Sequence, residues 1–268
     1  MKNAKVLKPL LLSAAAVMLV VATMFATMAY LTSSAAVSNV FTVGNVKLHM
    51  FESKVTPDGE IDSSVEQIKD GMKVADTNSY HLQPGASYTK DPTVYVDANS
   101  DESYLFIRLR NDLKSIEKQG DVNHPTIVEQ LRKNGWLEIE RADSNVDAVF
   151  VYVGVDKASE LETVFQSIGT VGSEYSTQAE RTEAIHAATA EIKAHIVGGK
   201  DSREAFDVFE EFTLAEKVDN LQIFGGARVA IVAYAIQARG VTEDVDIGTQ
   251  AAYLKAWDYV KTELPFVD

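Results

Sequence analysis

Five histidines, His49, His81, His124, His186 and His195, are the side chains best suited to hold a metal or move a proton in this chain. Their spacing assembles neither chemistry. A metallopeptidase signature of the HExxH type sets two ligands one helical turn apart with a general base between them. No such spacing occurs. His186 and His195 share one predicted helix, but at about 100° per residue they point in opposite directions and cannot hold one ion. Glu191 and His195, at i and i+4, make an ordinary helix pair. Each histidine is therefore read as structural.

The acidic residues come closer to a site. Asp97-Ala98-Asn99-Ser100-Asp101 starts like a calcium loop, yet its sixth position is Glu102 where glycine is needed, and its twelfth is Arg108 where a glutamate is needed. A polar turn is the reading. Glu243, Asp244 and Asp246 form a second acidic cluster, suited at most to a weak cation site. Cysteine is absent, which excludes disulfides, thiolate nucleophiles, zinc fingers and iron–sulfur clusters. Nucleophile-elbow, phosphate-loop and dinucleotide signatures are missing as well. No catalytic residue, cofactor or metal ligand is assigned.

The elements that would position a site read mainly as strands. Between Phe41 and Phe51, Val46, Leu48 and Met50 alternate with Lys47 and His49, the period of a half-buried strand. Thr93 to Val96 and Tyr104 to Arg110 are expected to pair across the Asp97–Glu102 turn, with Leu105, Ile107 and Leu109 on one face. Trp136 to Glu140 and Val149 to Val153 follow. Ala227 to Ala238 is apolar on both faces, Val229, Ile231 and Ala233 against Val232, Tyr234 and Ile236, so it belongs in the middle of a sheet.

Helices interrupt these strands. Pro125 opens a short one carrying Ile127, Val128 and Leu131. Thr177 to Glu180 is a capping box, followed by an apolar stripe of Ile185, Ala188, Ile192 and Ile196 that Gly198-Gly199 would end. Asp201 to Glu204 repeats the box before Phe206 and Phe209. Tyr253, Ala256, Trp257 and Val260 fall at i, i+3, i+4 and i+7 of a last helix, stopped by Pro265. No repeat or long linker divides the chain.

The N-terminus has an address. Lys2, Lys5 and Lys8 precede an uncharged run from Pro9 to Tyr30, and small residues follow. This is the pattern of an export signal, with cleavage expected after Ala29; the run is also long enough to stay as an anchor. The reading is therefore a leader over 1–29 and one domain over 30–268, placed in the extracellular matrix or at the cell surface. The formal net charge of −14 becomes more negative once the lysine-bearing leader is gone. That surface keeps the chain soluble and argues against nucleic acid, whose phosphates need clustered Lys and Arg.

Three stretches then stand in order. Ala29-Tyr30-Leu31-Thr32 leads to Asn39-Val40-Phe41-Thr42-Val43-Gly44-Asn45-Val46. Leu82-Gln83-Pro84-Gly85 leads to Thr89-Lys90-Asp91-Pro92-Thr93-Val94. Val232-Ala233-Tyr234-Ala235-Ile236-Gln237-Ala238 leads to Ala256-Trp257. Together they resemble the TasA/camelysin family of secreted Gram-positive proteins, whose leaders are removed by a SipW-type signal peptidase. The resemblance implies a jelly-roll-like antiparallel β-sandwich with inserted and C-terminal α-helices. It also implies a structural subunit of biofilm matrix fibres that self-associates and has no enzyme role, with an accessory matrix protein as a further partner. In such fibres the freed N-terminal segment adds as a strand to the next subunit. Here that donor would run from about Tyr30 to Val40, with Leu31, Val37 and Val40 as its apolar residues; a frayed end or an in-chain edge strand is the alternative. Camelysin-type relatives also imply a cell-surface metallopeptidase, and a monomeric surface adhesin is a third alternative. The stretch 174–211, read as two capped helices, is longer than the family's usual segment.

Overall fold

The computed structural model describes residues 32–119, 123–218, 221–241 and 245–263. The chain begins with β1 (Thr32–Val43) and β2 (Leu48–Phe51), then the small pair β3 (Ile68–Lys69) and β4 (Met72–Lys73). Next come β5 (Thr77–His81), β6 (Ser87–Thr89), β7 (Thr93–Val96) and β8 (Ser103–Asn111). Helix α1 (Ile127–Lys133) precedes β9 (Trp136–Arg141) and β10 (Asp147–Tyr152). Helices α2 (Ala158–Ser167) and α3 (Gln178–Ala188) lead to β11 (Glu204–Asp207) and β12 (Glu211–Thr213). The described chain closes with β13 (Val229–Gln237) and α4 (Gln250–Glu263).

The fold is mainly β, a sandwich with helices. A six-stranded sheet in the order β5-β1-β13-β8-β10-β9 forms its centre. One face packs on the smaller sheets, β11-β7-β2 and β12-β6. There Ile107, Leu109, Ile231 and Ala233 meet Leu48, Met50, Val94, Val96 and Phe206. The opposite face carries Phe106, Leu137, Val151 and Tyr234, covered by Leu161 and Phe165 of α2, Ile185 of α3, and Tyr253 and Trp257 of α4. β13 lies inside the sheet with Val229 and Ile231 in one core and Ile236 in the other, as its two-sided apolarity requires.

Several expectations need correction. β7 and β8 do not form a hairpin: β7 pairs with β2 and β11, while β8 lies between β13 and β10. The 97–102 turn is a corner between sheets, because Leu48–Val96 pairing leaves the apolar residues of both strands facing one core. The strand expected across 41–51 is two strands broken at Gly44, whose φ of +100° turns the chain.

The predicted helix after Asp201 is instead β11 and β12. Phe206 and Val208 are buried while Ala205 and Asp207 are exposed, a period of two, and Phe206 pairs with Val94. The Glu204 carboxylate accepts from the Gly198 N–H and pairs with Lys200, so no capping box forms. Helix α3 ends at Ala188 rather than running to Ile196. Thr189 turns its hydroxyl back to the Ile185 carbonyl at 2.7 Å, and the chain then extends, with the Ala194 N–H donating to Gly248 O and the His195 N–H to Tyr152 O. The inserted segment 174–211 thus holds one helix. Helix α2, which the sequence reading did not foresee, lies before it.

Helix α1 begins on a full capping box: Thr126 Oγ1 accepts from the Glu129 N–H, and the Glu129 carboxylate accepts from the Thr126 N–H. Thr126→Ala is expected to lower stability by about 1 kcal/mol, read by urea denaturation. An unchanged midpoint would remove the cap from the account of this helix.

Candidate assembly site

The seat of β1 is built from two unlike halves. Thr32–Ala36 runs antiparallel to β5, from Thr32 opposite His81 to Ala36 opposite Thr77. Val37–Val43 runs parallel to β13, from Val37 beside Ile231 to Val43 beside Ile236. The register shifts between Val37 and Asn39, leaving Ser38 as an extra residue. Among the described strands this is the one parallel pairing in an otherwise antiparallel sandwich. β1 carries no charge along its length.

Side chains anchor its C-terminal half. The Phe41 ring stacks on Tyr234 with centroids 5.4 Å apart, and Tyr234 meets Trp257 edge-on at 5.6 Å. Burial pushes the Tyr234 hydroxyl up, against the opposing pull of Arg108. Val40 sits beside Ala233 yet is 38% exposed, so the sandwich face of β1 is incompletely covered. Gly44 ends the strand; a Cβ there would stand 2.8 Å from the Gln237 amide oxygen, on a backbone that side chains rarely adopt.

The partner strand β5 is held from behind by a buried polar group. Asn78 donates to Glu52 Oε1 and to the Ser53 carbonyl, both at 2.8 Å, and accepts from the Val55 N–H. The other Glu52 oxygen meets Lys90 Nζ at 2.8 Å, with both side chains fully buried. Burial pushes the Glu52 carboxyl up and the Lys90 ammonium down, and their mutual attraction opposes both shifts. Asp91 extends the cluster, accepting from the Ser53 N–H and hydroxyl and pairing with Lys73 at 2.9 Å. Tyr80, also on β5, is pushed well above the usual tyrosine range, mostly by burial.

The residues singled out from the sequence fall as follows. Ala29, Tyr30 and Leu31 lie outside the described residues, as does the whole 1–29 leader; Val37 and Val40 lie in the parallel half of β1. Among the described residues no helix is long and apolar enough to cross a membrane. His186 and His195 are not on one helix: His186 Nε2 bonds the Ile139 carbonyl at 2.7 Å, and the His195 ring stands against Tyr152. Asp97 is engaged by His49 and Arg203, and Asp101 accepts from the Asn45 N–H, so the polar turn braces a corner. Glu243 and Asp244 lie outside the described residues. Among the described residues no three His, Asp or Glu side chains stand close enough to share a metal. Sequence reasoning missed Asn78, Glu52 and Lys90. The alternation of exposed and buried residues in β5 was the available signal, since it turns Asn78 inward beside Tyr80.

No family model, no curated protein and no solved structure matches this chain.

Proposed function

We propose that this chain is a secreted structural subunit of extracellular matrix fibres, assembling head-to-tail by passing its N-terminal strand to the next copy. The observation that carries this reading is the seat of β1: an uncharged terminal strand, inserted parallel to β13 and joined to the body through the Gly44 bend. Its ladder and its Phe41 contact depend on the groove and not on which chain supplies the strand. Withdrawn, it leaves β13 as a long apolar edge, the kind of template that recruits another strand. A strand that leaves one subunit and fills the same groove in the next makes a heterologous contact, the type that builds open filaments. The export leader and the resemblance to the TasA/camelysin family support the same reading, with a SipW-type peptidase and an accessory matrix protein as partners.

The test compares residues 30–268 with 44–268 by light scattering and negative-stain microscopy, after circular dichroism has shown that each folds. The longer chain should form filaments and the shorter should not, and a peptide of residues 30–43 should bind the shorter chain and stop it from joining filaments. Equal polymerisation of both lengths removes the strand-exchange reading. A strict monomer whose casein cleavage is abolished by a chelator would replace it with the peptidase reading.

A further inference from the structure

A cavity of about 360 Å³ opens between the 114–116 turn, α1, β9 and the start of α3. Its charge is opposite to that of the rest of the molecule. Lys114, Arg132, Arg141 and Arg181 line it, facing the carboxylates of Glu117, Glu129 and Glu138. The acids are already engaged. Glu138 is shared between two guanidiniums, Arg141 through Nε at 2.9 Å and Nη2 at 2.5 Å, and Arg181 at 2.6 Å. Glu129 is bound into the α1 capping box, and Glu117 accepts from the Ile127 N–H and the Asn111 amide.

Two cations are left over. Among the described residues, Lys114 Nζ donates only to the Asn145 carbonyl and side-chain oxygen, at 3.0 and 2.7 Å. Arg132 donates from Nε to the Val128 carbonyl and lies over the Phe165 ring at 4.8 Å. Among the described residues neither makes an ion pair within 4 Å; Glu162, Glu138 and Glu129 attract Arg132 from farther off, and its guanidinium end keeps donors free for a ligand. Gln178, buried in the same wall, has a side-chain oxygen with no hydrogen-bond partner.

We propose that this cavity binds one small phosphate-bearing anion, held by Arg132 and Lys114. A guanidinium fork and a neighbouring ammonium match the geometry of phosphate oxygens. The orphaned Gln178 oxygen suits a hydroxyl or protonated oxygen on the same ligand. Burial, then Arg141, brings Lys114 down to about 8, with Arg181 adding to it against Glu138 and Glu117. Glu117 is pushed up to about 7, mainly by burial, so it is largely protonated in mild acid.

Anion binding favours charged Lys114 and neutral Glu117. Affinity should therefore be highest below about 7 and fall as pH rises through about 7 and about 8. The other charged groups facing the cavity are Glu129, Arg132, Glu138, Arg141 and Arg181, with Glu162 of α2 attracting Arg132. Isothermal titration calorimetry with inorganic phosphate, glycerol phosphate and succinate tests the site on residues 30–268. Phosphate should bind with one site per chain. Arg132→Gln should weaken it about tenfold, the size expected for losing a charge-assisted contact. Glu117→Gln should flatten the lower part of the pH profile, and Lys200→Gln, on a distant surface pair, should change nothing. A glycerol phosphate preference over phosphate marks an ester ligand, while succinate binding more tightly than either phosphate overturns the phosphate assignment. Absence of binding, or binding indifferent to Arg132→Gln, overturns the site.

Discussion

Lys90→Ala is expected to destabilise the fold by roughly 3–5 kcal/mol, because it leaves the fully buried Glu52 carboxylate without its cation. Burial alone already pushes Glu52 up, and the Lys90 attraction is the largest influence holding it down. Without Lys90 the carboxyl should take up a proton on folding. The sign follows: a folded pKa raised above the ordinary 4.5 contributes stability below that value and loses it as pH rises through the raised one. The deficit of the variant should therefore be largest near neutral pH and shrink in mild acid. Urea denaturation across that range checks it, and a deficit independent of pH would mean that Glu52 is not the stranded group. Replacing both partners, Lys90→Met with Glu52→Leu, should recover much of the loss, since two apolar groups need no partner; Asn78 would then lose one acceptor and limit the recovery.

On the strand-exchange reading, this pair would matter to assembly as well as to stability. Asn78 reads the Glu52 carboxylate on one side and belongs to β5 on the other, directly opposite Ala35 of β1. A polar group buried behind a strand has few alternative arrangements, and that fixes which register β5 offers to an incoming strand. Under the strand-exchange reading, a loosened Glu52–Lys90 pair should broaden the filament population before it unfolds the subunit.

The parts of this fold that could be read from the sequence are those whose pattern is local. β13 alternates two apolar faces and lies where that alternation puts it; Tyr253, Ala256, Trp257 and Val260 share one helical face and are all buried. Segment 201–211 misleads because two patterns overlap there. Asp201 and Glu204 imitate a helix start, and Phe206 and Phe209 imitate its stripe, while the competing Phe206/Val208 alternation wins only through pairing with β7. The partner of β1 was not legible at all, since β13 lies at the far end of the chain and its pairing is decided by the assembled core. The cavity charges were hidden for a sharper reason. Glu138 and Arg141 are three apart, and strict strand alternation would send them to opposite faces. A bulge at Ile139, seen where Val149 pairs with Glu140 and Phe150 with Glu138, returns them to one side.

That bulge leads to the second large effect. Glu138 is fully buried and bonds both Arg141 and Arg181, so Glu138→Ala should cost roughly 3–5 kcal/mol by leaving two guanidiniums facing each other. Burial by itself would raise the Glu138 carboxyl; the two arginines more than reverse that and bring it to about 2. A depressed folded pKa gives stability that is present above the ordinary 4.5 and lost as pH falls through about 2. The native chain should therefore lose stability in that acid window, and the variant should lose less of it there. Arg181→Met in the same background should return part of the stability, because it removes one of the two repelling cations while keeping side-chain bulk. Phosphate should also protect Glu138→Ala against thermal unfolding more than it protects the native chain, since a bound anion then supplies the missing negative charge. Equal protection of the two would separate the cavity's ligand from the triad, and would place Arg132 and Lys114 alone against it.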